Sequence, residues 1–371
     1  MEGVDLTLPN SLKRRTPFIH QEIIRDILSR LPVKSLKRFE CVCKPWQALI
    51  TSINLNRPRL LYAPLSVNPN PLLSVDYEAL NNEDGVAMKE VHCPAVVEPD
   101  TTLIFLGSCH GLVGLGMDGR DGLVLWNPST GDMRVLPKPT LRKDDMNFHG
   151  VGYDPSTEDY KVICGYSDHL KTVIEVYSLK RNAWRTYIDL KCVNLNLQDL
   201  QGCYLNGSIH WIKFSFLRSS IISFDLAENR FKEALPLPDC GPGGSHELSS
   251  LGIGTTRNCL FVHSGLDKPN LNIWVMKEFG VRESWTRVLH IPSAVIGPDH
   301  GFDEHGLKPL CILDNGEFLM AYDEKCLQLY NPSTMTFRRI IQEDDDNSPI
   351  ETVTYEETLV SLPVAEVLEL E

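Results

Sequence analysis

The feature that most constrains this chain is a motif that recurs five times. The segments are LVLWNPSTGDMRVLP (123–137), IEVYSLKRNAWRTYI (174–188), IISFDLAENRFKEAL (221–235), IWVMKEFGVRESWTRVL (273–289) and LQLYNPSTMTFRRII (327–341). Each is an apolar run ending near an aromatic, a polar turn, then a second run. That is the pattern of a β-hairpin. The first-run aromatics Trp126, Tyr177, Phe224, Trp274 and Tyr330 are separated by 51, 47, 50 and 56 residues. In four units the large second-run residue follows seven positions later, at Met133, Trp184, Phe231 and Phe337; the fourth unit reaches Trp285 after eleven. The turn sequence NPST occurs twice, at Asn127–Thr130 and Asn331–Thr334. Asparagine closes such a turn on its own backbone, and proline presets φ.

A second hairpin pattern precedes each of these, so the unit is four strands in roughly 50 residues, the period of a propeller blade. Five units are complete. Runs at 59–63, 72–78 and 86–92 supply three strands of a sixth, and TYEETLVSL (354–362) its fourth from the far end. The fold class expected is therefore mainly β: a six-bladed propeller closed by strands from both ends, behind a small helical module. An irregular sandwich of the same hairpins is the competing architecture. In a four-stranded blade the first and third turns share one side. The second turn and the blade-to-blade link share the other. Here the links at about 138–148, 189–199, 236–248 and 292–308 are long. Long loops on a rigid scaffold carry recognition. By location, His110, His149, Asp168, His169, His300 and His305 are the candidate substrate-binding residues.

The N-terminal part is different. In HQEIIRDILSRLPVKSLKRFECVCKPWQALIT (20–51), Ile23, Ile24, Ile27, Leu28 and Leu31 mark one helical face. Pro32 ends that helix and Pro45 suits the first turn of another. Three short helices bury little by themselves, and with no visible disulfide or metal staple the module needs a partner. The string IIRDILSRLPVKSLKRFECVCKPWQALI resembles an F-box. The features shared are the I-L-x-R-L-P-V-K-S-L core, the R-F-x-C-V-x-K-x-W run and the trailing L-I. The resemblance implies docking of an SKP adaptor, and through it a cullin, by Ile23, Ile27, Leu28, Leu31, Pro32, Val33, Leu36, Val42 and Trp46, with Phe39 and Leu49 packing the module. The match departs at its edges, where His20 follows Ile19 and Leu55 stands where a Phe is usual. Residues 57–362 resemble the kelch-like F-box-associated domain of plant F-box proteins. The diglycine of kelch blades is missing: the chain's one Gly-Gly, Gly243-Gly244, falls in a loop. The domains expected are a tail (1–17), the F-box (18–55), the propeller (56–362) and a C-terminal tail (363–371).

What the resemblance implies is a substrate-recognition subunit of an SKP–cullin–F-box ubiquitin ligase. It would be non-catalytic, with no cofactor or metal, holding a protein target near a ubiquitin-charged enzyme. An F-box scaffold without ligase output and a kelch-type propeller enzyme are the alternatives. The formal charge of −13 argues against nucleic acid as a partner. Residues 13–48 hold nine Lys or Arg against three Asp or Glu, leaving −19 on the rest. A basic head on an acidic body suits an acidic docking partner. No apolar run approaches membrane-spanning length, and the N-terminus lacks a signal-peptide core, so a cytoplasmic or nuclear location is expected. The 11 cysteines include no C-x-x-C pair, which suits free thiols. Gly114, Gly116 and Gly119 spell G-x-G-x-x-G, but a strand pattern follows where a dinucleotide site needs a helix. Asn206-Gly207-Ser208 reads as a turn, Lys13-Arg14-Arg15 as a weak nuclear signal, and Glu343–Asp346 as an acidic loop.

Overall fold

The computed structural model describes residues 20–53, 55, 57–64, 72–77, 79, 88–93, 103–117, 122–141, 146–197, 200–215, 219–238, 251–264, 270–296, 307–322, 326–342 and 350–362. The chain divides into two compact units, Met1–Leu55 and Asn56–Glu371.

The first unit holds α1 (Gln21–Ser29), α2 (Val33–Phe39) and α3 (Lys44–Thr51). Pro32 stands immediately before α2, and Pro45 lies in the first turn of α3, where the missing N–H costs no helical bond. Leu28, Val33, Leu36 and Ile50 are buried. Arg25 reaches from α1 to the Ser52 carbonyl at the end of α3.

The second unit is a six-bladed propeller. Its strands begin with β1 (Pro58–Pro64), β2 (Leu72–Val75) and β3 (Met88–Val91). Blade one follows with β4 (Leu103–Cys109), β5 (Leu112–Met117), β6 (Leu123–Trp126) and β7 (Met133–Val135). Blade two is β8 (Phe148–Asp154), β9 (Asp159–Ser167), β10 (Thr172–Ser178) and β11 (Ala183–Asp189). Blade three is β12 (Cys203–Leu205), β13 (Ser208–Lys213), β14 (Ser220–Asp225) and β15 (Arg230–Leu235). Blade four is β16 (Leu251–Thr256), β17 (Cys259–Ser264), β18 (Leu271–Met276) and β19 (Trp285–Ile291). Blade five is β20 (Leu307–Ile312), β21 (Phe318–Tyr322), β22 (Cys326–Asn331) and β23 (Thr336–Gln342). Blade six is completed by β24 (Ile350–Glu356), paired to β1 in the order β24-β1-β2-β3.

The closing strand is thus Ile350–Glu356 and not 354–362. Val353 and Tyr355 are buried on one face and Ile350 on the other, whereas 357–362 is irregular. The segment after it lies close to the third turn of blade one: the Asn127 amide donates to the carbonyls of Thr358 and Val360. The other two outer strands of this blade are shorter than the runs that signalled them.

The seven-residue interval in the sequence is a cross-strand pair. Trp126 faces Met133, Tyr177 faces Trp184, Phe224 faces Phe231 and Tyr330 faces Phe337. The last three pairs hold their rings 5.4, 5.3 and 4.7 Å apart. In the fourth unit the inserted turn shifts the match, so that Trp285 faces Met276. Three turns of the four regular pairs are closed by Asn or Asp accepting from N–H groups just ahead, as Asn127 does from Ser129 and Asp225 from Ala227; in the Tyr177 pair the Ser178 hydroxyl accepts from the Arg181 N–H. Each then places a left-handed residue, Gly131, Asn182, Asn229 or Met335, in line with the preference of that region for Gly and Asn.

Each interface between blades has its own apolar cluster. Phe105, Trp126, Val353 and Tyr355 join blades six and one; Phe148, Ile174, Trp211 and Phe224 join two and three. A polar clasp also crosses from blade two to blade three. The buried Lys161 ammonium donates to Asp154 Oδ2 at 2.9 Å and to the Leu226 carbonyl. Burial would raise the Asp154 pKa, but hydrogen bonds from Ser156, Lys161 and Thr157, with the Lys161 charge, hold it well below the usual carboxylate range.

Candidate functional site

The helical unit presents an apolar surface. Ile23 and Ile27 lie one turn apart on α1, and Val42 lies in the turn before α3; each is more than half exposed. Pro32 is exposed as well, while Leu31 and Trp46 are half-buried. Trp46 packs edge-on against Phe39, with ring centroids 5.4 Å apart. The nine adaptor-binding candidates therefore divide. Leu28, Val33 and Leu36 are interior residues, which shape the surface without forming it. Ile23, Ile27, Pro32 and Val42 are open to a partner. The charges around them are biased. Asp26 is held by Arg30 at 3.0 Å and Glu40 by Lys37 at 3.3 Å, which leaves Lys34, Arg38 and Lys44 as exposed cations.

The propeller candidates do not converge. Asp168 and His169 sit in the turn between β9 and β10, on the long-link side. The Asp168 carboxylate accepts from the Leu170 and Lys171 N–H groups and from the Tyr166 hydroxyl, bonds that lower its pKa. It is a turn-former. His149 is not a loop residue but a buried one in β8. Its N–H donates to the Leu200 carbonyl, its carbonyl accepts from Gly202, and Gln201 continues across to the Phe105 carbonyl. This joins blades one, two and three near the axis. His110 lies on the opposite side from the long links, in the β4–β5 turn. There it meets the rings of Tyr153 and Tyr204 at 5.1 and 5.6 Å. A first turn and a long link face opposite ways in a blade, so location had grouped His110 wrongly. His300 and His305 lie outside the described residues, as do Gly119, Gly243-Gly244, Glu343–Asp346 and both tails.

On the axis, inner-strand residues Gly107, Gly202, Gly254, Lys308 and Thr352 line a narrow cavity of about 100 Å³. The glycines at 114 and 116 lie within β5, and a strand, β6, follows. A Cβ at Gly114 would come 2.5 Å from Val151 of the next blade, so the glycine serves blade packing. Asn206 and Gly207 are the left-handed pair of a tight hairpin turn. Among the described residues no helix is long and apolar enough to cross a membrane, and no group of three or more His, Cys, Asp or Glu is placed to hold a metal ion.

Burial pushes the His149 and His210 pKa values down to about 4 from 6.5. His210 is held by Ser223 and the Leu205 carbonyl. A base whose folded pKa lies below its unfolded value takes up a proton on unfolding. The contribution of each histidine is thus fully present above about pH 6.5 and is lost as pH falls towards 4. Each loss is roughly 3 kcal/mol at most. Denaturant unfolding between pH 7 and 4 should show this decline, and His210→Gln should flatten it.

Sequence reasoning missed the exposed Leu170, Ile188 and Leu190 at one end of blade two. The signal for Ile188 and Leu190 was present in YIDLK (187–191), where apolar residues interrupt a polar run at the end of a strand.

A three-helix module with an uncovered apolar face, joined to a six-bladed propeller, defines an F-box protein with a propeller receiver. The chain belongs to the plant F-box family that carries the F-box associated beta propeller domain: that domain matches residues 79–361 and the F-box domain residues 19–58. An F-box/kelch-repeat protein of Arabidopsis thaliana is 32% identical, over 85% of this chain and 88% of that protein. The F-box protein CPR1 of the same plant is 28% identical, over 74% and 73%.

Proposed function

We propose that the chain is the substrate-recognition subunit of an SKP–cullin–F-box ubiquitin ligase, docking the SKP adaptor through its F-box and a target protein through its propeller. The observation that carries this is the exposed apolar set Ile23, Ile27, Pro32 and Val42 on a module matched by the F-box domain. A module of this size gains most of its stability by covering such a face. Its spare cations, Lys34, Arg38 and Lys44, favour an acidic partner. The chain contributes no chemistry of its own: it brings a target lysine near a charged enzyme, and proximity supplies the rate. This reading places it in the cytosol or nucleus, where the ligase components work.

The test is pull-down of a plant SKP adaptor by the wild type and by Ile27→Glu. Position 27 is exposed, so the variant keeps the wild-type melting curve. A carboxylate forced unpaired into an apolar contact should weaken binding by roughly 100-fold, about 3 kcal/mol. Failure of the wild type to bind, or equal binding by the variant, overturns the proposal. Adaptor binding without faster turnover of any captured target would mark a scaffold.

A further inference from the structure

We propose that the outer edge of blade two, strand β11, is where the propeller takes up its partner: an extended, acidic segment bearing an apolar residue adds to it as a fifth strand. This deepens the adaptor reading and rests on it.

Every blade ends in an edge strand with open N–H and C=O groups, a template for pairing with another chain. Five of the six edges are blunted. β3 and β7 have only 4 and 3 residues. β15, β19 and β23 each carry a register shift opposite their partner. Val288 and Ile340 are the extra residues in the last two. Bulges of this kind twist an edge away from strand pairing. Among the described residues only β11 is both long and regular, pairing with β10 over seven consecutive positions from Thr172↔Asp189 to Ser178↔Ala183.

The free groups of that edge can be assigned. The Leu179 N–H donates to the Tyr160 carbonyl, so odd-numbered residues of β10 bond towards β9 and even-numbered ones towards β11. With Val176 opposite Arg185 and Ile174 opposite Tyr187, the odd residues of β11 are the ones bonded to β10. Trp184, Thr186 and Ile188 therefore turn their N–H and C=O groups outward, and no described residue takes them up.

Side chains specify the occupant. Ile188 is exposed on the strand itself, and Leu190 (72% exposed) and Leu170 stand at the same end of the sheet. Lys171 and Lys191 stand at that end, Arg185 lies along the strand and Arg181 at its other end, and none pairs with a described carboxylate. The nearby Asp168 and Asp189 carboxylates are occupied by backbone N–H groups of their own turns. Glu175 is buried against Thr140 and Leu141. A basic edge on an acidic body favours an acidic strand. It opposes pairing with a second copy, which would bring Arg185 and its neighbours against their own kind. Main-chain bonds would supply affinity, and the apolar and basic side chains selectivity.

The probe is a displayed library of random linear peptides, selected on the full-length protein held by a terminal tag. Enriched peptides should carry acidic residues around one apolar residue and should slow hydrogen exchange at Thr186 and Ile188. Thr186→Pro removes an outward N–H without breaking a main-chain bond to β10, and should weaken them about ten-fold or more; Thr186→Val, which loses only the hydroxyl bond to Glu175, should leave them unchanged. Paired Arg185→Glu and Lys191→Glu, both on exposed side chains, should do so with an unchanged melting curve. No enrichment, or equal binding to wild type and Thr186→Pro, overturns the proposal. So does a concentration-dependent dimer that Thr186→Pro abolishes, which would give the edge to a second copy. Adaptor pull-down runs on the same samples. Its loss with edge binding intact would fault the ligase reading alone; the reverse would fault only the edge.

Discussion

Ending the chain after residue 349 is expected to leave no folded propeller. The cut removes β24, the inner strand of blade six, and with it seven paired positions along β1. It also removes Ile350, Val353 and Tyr355, which lie in the clusters on both sides of that blade. At roughly 1.5–3 kcal/mol for each large buried side chain, these three alone approach the stability of an ordinary domain. The polar ties go too: Tyr355 to Ser74, and the Thr354 carbonyl to Ser108. The truncated protein should be insoluble, or should melt without cooperativity in circular dichroism. A peptide of residues 350–362 supplied during refolding should restore the melt, because the gap it fills is one strand wide. A soluble truncated protein with a sharp transition would show that the ring does not depend on its seam.

Asp154→Ala is the largest single-residue effect expected. It leaves the Lys161 ammonium buried without its counter-ion, and removes the acceptor that organises Ser156 and Thr157. Breaking one side of a buried pair costs about 3–5 kcal/mol. Lys161→Met with Asp154→Ala should recover a good part of that loss, since the stranded charge is then gone. Denaturant unfolding of the two single variants and the double variant gives the coupling directly. Additive losses would mean that the two side chains act separately.

The repeat was legible because its physical cause is local. Tyr177 and Trp184, or Tyr330 and Phe337, are partners across one short turn, so their spacing survives in the sequence. The six blades followed from counting such units. The closing strand was placed late because TYEETLVSL holds apolar residues throughout, but only Tyr355 belongs to the strand; Val360 and Leu362 pack against another cluster beyond it. The F-box face was legible in the pattern of Ile23 and Ile27. Its division into exposed and interior residues was not, because helical periodicity marks apolar positions without saying which of them a neighbouring helix covers. The propeller candidates fared differently. His149 is indistinguishable in sequence from a loop histidine, and only the approach of Leu200 and Gly202 from the next blade buries it. The open edge of β11 could not be read at all: a regular edge is told from a bulged one by register, which depends on both strands.

The seam between β1 and β24 also has a consequence in time. A chain emerging from the ribosome makes the F-box first and β1 to β3 soon after, but the sixth blade waits for residue 356. Until then the receiver is an open arc. A message cut short between the end of the F-box and that point yields a subunit whose docking module is complete and whose receiver is not. If the proposed adaptor role holds, such a fragment would occupy adaptor molecules while delivering nothing, so stop codons between the F-box and the seam should act as competitors of the intact protein and not as simple losses.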